Sequence, residues 1–173
     1  FYKAQNLSPK DFENKILLKT KSLSYLNNSA VTYRNRGYAY YNLKLYDEAI
    51  SDFNRSIELD PNYSVPYNDL GSYYLNIEKD LDNALLHFSF AINLDPKHTL
   101  AHINAGQIMA TIKRADEALM LLDKAIELDP LNPESYFWKS SVMRISKNKN
   151  YEALKLINRA IDIDPLNATY ILE

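Results

Sequence analysis

His98 and His102 stand four residues apart, the spacing at which a helix presents two imidazoles on one face to a zinc ion. The intervening Thr99-Leu100-Ala101 supplies no glutamate to act as a base, and His87 belongs to a different helical segment. Asp80-Leu81-Asp82 offers two carboxylates but lacks the glycine and the closing glutamate of a calcium loop. The chain has 0 Cys, which removes thiol nucleophiles, disulfides and Cys-ligated zinc, and only 3 Gly, too few for a glycine-rich phosphate loop. No Ser/His/Asp arrangement follows from spacing, and Asn54-Arg55-Ser56, a formal glycosylation triplet, falls in mid-helix. The expectation is a non-enzyme with no metal and no cofactor. What recurs at fixed spacing is a different chemistry: Asn35, Asp69 and Asn104 stand two residues before Gly37, Gly71 and Gly106. An amide offers a donor and an acceptor together, so one such group per unit could grip the peptide groups of an extended chain.

The elements that would position such a row are read from an internal repeat. Asp-Pro recurs at Asp60-Pro61, Asp95-Pro96, Asp129-Pro130 and Asp164-Pro165. Upstream stand Ala49, Ala84, Ala118 and Ala153, then Phe53, Phe88, Leu122 and Ile157, then Ser56, Ala91, Ala125 and Ala160. Gly37, Gly71 and Gly106 come early in each unit, Ser140 fills the fourth slot, and Tyr33, Tyr67, His102 and Tyr136 lie four residues before. Tyr33, Arg36, Gly37 and Tyr40 form one helical stripe, and Ala49, Phe53, Ser56 and Ile57 form another, so each unit reads as two helices. A mid-helix glycine costs about 1 kcal/mol against alanine, so three in register imply close approach of the partner helix with its alanine. The Asp-Pro pair ends the second helix. The glycine-to-proline distance shows one extra residue in units two and four, assigned to the polar turns 78–82 and 146–150.

The 173 residues, 46% hydrophobic and 24% charged, suffice for one globular core. A formal net charge of -2 gives no electrostatic footprint for nucleic acid, and no run of about 18 apolar residues could span a membrane. The compartment is unspecified, with the cytoplasm the default. A chain opening on Phe1 without a leader reads as a piece of something longer. The expected organisation is a stacking N-terminal helix at 1–29, repeats at 30–63, 64–98, 99–132 and 133–167, and the start of a truncated helix at 168–173.

These residues resemble the tetratricopeptide repeat family over roughly 30–165, with mild departures at Arg36, Lys139 and Ser140. The resemblance implies an all-α, right-handed solenoid of antiparallel helix pairs whose first helices line a concave groove. It also implies a scaffold that binds a partner protein or extended peptide there. A substrate-recruiting arm of a larger enzyme, an RNA-binding helical repeat and a co-chaperone are the other readings that it leaves. The face opposite the core stripe nominates Arg34, Asn35, Tyr38, Tyr41 and Asn42 in the first unit, and Asn68, Asp69, Ser72 and Asn76 in the second. Ile103, Asn104 and Gln107 follow in the third, and Phe137, Trp138 and Arg144 in the fourth; Glu134 shares that stripe. The amide row is similar to the asparagine ladder of some family members, with Asp69 as a break, or it is a solvated polar face. Phe137 and Trp138 line the groove, or Trp138 packs under a following helix. A co-chaperone clamp for a carboxylate is disfavoured, because Asp69 or Glu134 falls where a cation or amide is required. Self-association through the bare end repeats is a further expectation.

Overall fold

Residues 29–167 are described continuously in the computed structural model, with Lys10, Glu13, Asn14, Leu17 and Tyr170 besides. The helices expected in 1–29 and 168–173 therefore lie almost wholly outside the described residues. Within them the chain forms α1 (Ala30–Asn42), α2 (Tyr46–Leu59), α3 (Ser64–Tyr73), α4 (Leu81–Leu94), α5 (Thr99–Thr111), α6 (Ala115–Leu128), α7 (Pro133–Lys147) and α8 (Asn150–Ile163), with no strand. They pack as four antiparallel pairs stacked into an all-α, right-handed solenoid.

Local chemistry sets the boundaries. The side chains of Ser29, Asp80 and Asn132 accept backbone N–H bonds at the starts of α1, α4 and α7, and Pro133 occupies the first turn of α7. At each Asp-Pro the aspartate leaves the helical region, with φ between -145° and -133°. Asp60, Asp95 and Asp129 then accept the N–H two residues on, at 3.0–3.1 Å, forming an Asx turn that redirects the chain. The next repeat ties back to this turn. Tyr67 and Tyr136 donate to the carbonyls of Pro61 and Pro130 at 3.2 and 3.1 Å, and His102 Nε2 reaches the Pro96 carbonyl at 3.0 Å. His102 is thus a structural substitute for tyrosine.

The close approach at the glycines is real, but the partner differs from the expectation. A Cβ on Gly37 would stand 2.9 Å from the Phe53 ring, on Gly71 2.6 Å from Phe88 Cε1, and on Gly106 2.9 Å from Leu122 Cγ. The alanines supply mainly backbone: the Ala49 carbonyl lies 3.1 Å from the Gly37 position. The glycines make room for the large side chain four residues beyond the alanine, and Phe53, Phe88 and Leu122 are at most 1% exposed as a result. Each such residue joins the following repeat in the core, Phe53 with Leu70, Phe88 with Ala105 and Ile108, Leu122 with Val142.

The extra residue of the second repeat is also placed differently. Lys44, Lys79, Lys113 and Asn148 adopt left-handed conformations, with φ of 62°, 58°, 63° and 50°. Lys44 follows Gly37 by seven residues and Lys79 follows Gly71 by eight, whereas Ala49 and Ala84 each follow their lysine by five. The insertion therefore precedes the turn, inside the first helix, where a π turn over Tyr74–Glu78 absorbs it. A π turn takes one residue without rotating the helices on either side, so the polar turn keeps its length.

Two cations stand where the other repeats put apolar side chains against the preceding layer. Arg36 forms a bidentate pair with Asp52 at 2.6 Å, and Lys139 pairs with Asp123 on α6. Leu70 and Ala105 fill the same slot with 3% and 2% exposure.

Candidate functional site: the concave groove

The first helices α1, α3, α5 and α7 lie side by side and form the floor of the groove. Polar rungs cross from one to the next at a fixed register. Arg34, three residues before Gly37, holds Asp69, two before Gly71, through Nε–Oδ2 at 2.5 Å and Nη2–Oδ1 at 3.0 Å. Asn104 then donates from Nδ2 to Asn68 Oδ1 at 3.1 Å. Asn35 Oδ1 accepts from Arg34 at 3.4 Å. Burial pushes the Asp69 carboxyl upward against the pull of Arg34, while the same contact raises the guanidinium above its ordinary range. Asp69 is therefore no bare acid in the groove: its charge and that of Arg34 cancel locally. This removes the repulsion expected of Asp69, and equally removes Arg34 as a cation for a ligand's carboxylate.

The slot three before each glycine faces the neighbouring helix more than the groove. Asn68, Ile103 and Phe137 occupy it with 6%, 1% and 8% exposure. Ile103 is thus closed off from the groove, because adjacent first helices cover that edge of the stripe, while Phe137, buried at the same edge, still borders the recess at the C-terminal end. Apart from the buried Asp69, the rest of the stripe is open or half-open. Tyr38 is exposed beneath the Arg34 guanidinium at 5.0 Å, and Asn42 is exposed with its amide bonded to the Tyr38 carbonyl. Tyr41 is half-buried and hydrogen-bonds Asn76, and Ser72 donates to the Asn68 carbonyl. Gln107 is half-exposed, Asn76 and Arg144 exposed.

Toward the C-terminal end the groove deepens into an open recess of about 280 Å³. Asn104 and Gln107 of α5 form one wall, and Glu134, Phe137 and Trp138 of α7 the other. Asn167 and Tyr170 close it. The Tyr170 ring lies on Phe137, centroids 5.3 Å apart, and the Phe137 edge meets Trp138 at 5.3 Å. So Phe137 is the aromatic that packs under the following segment, while Trp138 stays half-exposed. Glu134, whose carboxyl burial pushes above the ordinary range, is the acidic group in the lining. The recess thus gathers Asn104, Gln107, Phe137 and Trp138 from the expected residues and leaves Arg34, Asn35, Tyr38, Tyr41, Asn42, Asn68, Asp69, Ser72, Asn76, Ile103 and Arg144 outside it.

Asn167 and Tyr170 were missed from sequence. Register alone carried the signal: Tyr170 follows Pro165 by five residues, the place of Pro66, Ala101 and Ser135, all fully buried. His98 Nδ1 accepts the Ala101 N–H at 3.4 Å, its Nε2 is buried without a partner, and burial lowers the imidazole's proton affinity. Among the described residues no cluster of three His, Cys, Asp or Glu could hold a metal ion, and no helix is long and apolar enough to cross a membrane.

Comparison with known sequences identifies the family of these repeats. The family model described as tetratricopeptide repeat matches residues 30–63, and a second of the same description matches 68–133. The chain belongs to the tetratricopeptide repeat family. It is 29% identical over 133 residues to the protein O-mannosyl-transferase TMTC2 of Homo sapiens, covering 75% of this chain and 15% of that protein. The chain spans only 15–19% of the length of the curated relatives it matches. Among solved structures it superposes on MamA with a TM-score of 0.70 at 24% identity, covering 93% of each chain. The first tetratricopeptide repeat domain of Spaghetti (RPAP3), bound to the HSP90 peptide SRMEEVD, gives 0.62 at 23% identity, covering 67% of this chain and 91% of that one. Like those folds, this chain is a solenoid of stacked antiparallel helix pairs.

Proposed function

We propose that this chain is a non-catalytic scaffold that binds a partner protein or an extended peptide along the concave groove, anchored at the recess between α5 and α7. The observation that carries this reading is the recess itself: amides of Asn104 and Gln107 beside the half-exposed Trp138, on the face lined by the first helices. Amides bind a peptide backbone without regard to its sequence, and a desolvated aromatic supplies anchoring area. The Arg34–Asp69 and Asn68–Asn104 rungs hold the wall rigid, which lowers the ordering cost of binding. Replacing Asn104 and Gln107 together by alanine is expected to weaken binding of proteins recovered on the immobilised chain at least tenfold, with cooperative melting retained. Unchanged affinity in a cooperatively folded variant would contradict the reading. The likeness to a mannosyl-transferase of which the chain covers 15% favours a second reading, in which the scaffold is the recruiting arm of a larger enzyme.

A further inference from the structure

We propose that the recess between α5 and α7 takes a cationic side chain, lysine or arginine, from the bound segment; this rests on the groove reading above. Elsewhere in the groove, Arg34 and the buried Asp69 neutralise one another. The recess differs. Its lining holds one carboxylate, Glu134, with the amides of Asn104, Gln107 and Asn167, and no lysine or arginine. An anionic ligand would meet Glu134 with nothing opposite in charge to receive it. Nor are the backbone donors at the start of α7 free for an anion, because Asn132 Oδ1 already accepts from the N–H groups of Glu134 and Ser135 at 3.0 and 3.4 Å.

A cation is matched on every side. The Glu134 carboxylate, exposed at the rim of the recess, supplies the opposite charge. The Trp138 ring offers a face for cation–π attraction, strongest for tryptophan among the aromatics. Amide oxygens of Asn104 and Gln107 can accept the remaining ammonium or guanidinium N–H bonds. The open recess, about 280 Å³, has room for one long side chain.

Trp138 is the single tryptophan of the chain, so its emission reports occupancy of this recess alone. The probes are N-acetylated, C-amidated octapeptide pools of Gly, Ala and Ser with one central position fixed as Lys, Arg, norleucine, Gln or Glu. The Lys and Arg pools are expected to change Trp138 emission at concentrations about tenfold lower than the Gln pool, with the Glu pool weakest. In Glu134→Gln, verified by circular dichroism to keep its helices, that preference should shrink to within about twofold while the neutral pools still bind. If all pools perturb Trp138 equally in the wild type, the charge inference is overturned and the groove reading stands. If none perturbs it, both fall. A preference for Lys and Arg that persists in Glu134→Gln also overturns the assignment to Glu134.

Discussion

At the scale of single residues, the glycines and their counterparts control how closely each pair of helices approaches. Alanine at Gly71 would gain about 1 kcal/mol of helix propensity. Its Cβ would also stand 2.6 Å from Phe88 Cε1, on a ring with 0% exposure and no room to retreat. Overpacking of this kind costs about 1–3 kcal/mol, so Gly71→Ala should lower stability by about 1 kcal/mol net in denaturant unfolding. Adding Phe88→Leu should recover part of that loss relative to the sum of the single changes, since the third repeat already pairs Gly106 with Leu122. Additive losses would show that the contact does not limit the packing. The glycine spacing was legible in sequence, but the identity of the partner was not. Ala and Phe lie on the same stripe, and only the depth of interpenetration decides which of them meets the glycine.

At the scale of elements, the turn inside each repeat places a residue other than glycine in the left-handed region all four times. Lys44, Lys79 and Lys113 are exposed there, and an L-residue with a Cβ costs about 1–2 kcal/mol in that region. Lys79→Gly should therefore raise the denaturant midpoint, by about 0.5–1 kcal/mol once the greater freedom of glycine in the unfolded chain is subtracted. A lower midpoint would mean that the lysine stem contributes packing beyond its conformational cost. Helix starts, the Asp-Pro turns and the pairing of helices could be read from caps, prolines and period. The π turn at Tyr74–Glu78 could not. A length difference between repeats shows that a residue has been added, and the polar residues at 78–82 pointed to the loop. Backbone hydrogen bonding decided otherwise, because a helix can absorb one residue as a single wider turn.

At the scale of the whole molecule, the stacking angle between repeats determines what the groove offers. The helical period correctly separated core from non-core faces, yet it cannot say which part of the outer face a neighbouring repeat will cover. That is why Ile103 and Phe137 are buried, and why Asp69 meets Arg34 across the repeat boundary instead of facing a ligand. The recess closed by Tyr170 depends on a segment beyond the fourth repeat and is likewise a property of stacking. On the proposed function, the concave face binds the partner. The most direct measurement places a photo-crosslinking amino acid at Gln107, in the recess, and separately at Met120, 73% exposed on the second-helix face. Each labelled chain is then irradiated with a partner recovered by the wild type. Binding at the concave face gives covalent adducts from position 107 and none from position 120. Adducts from 120 with none from 107 would contradict it.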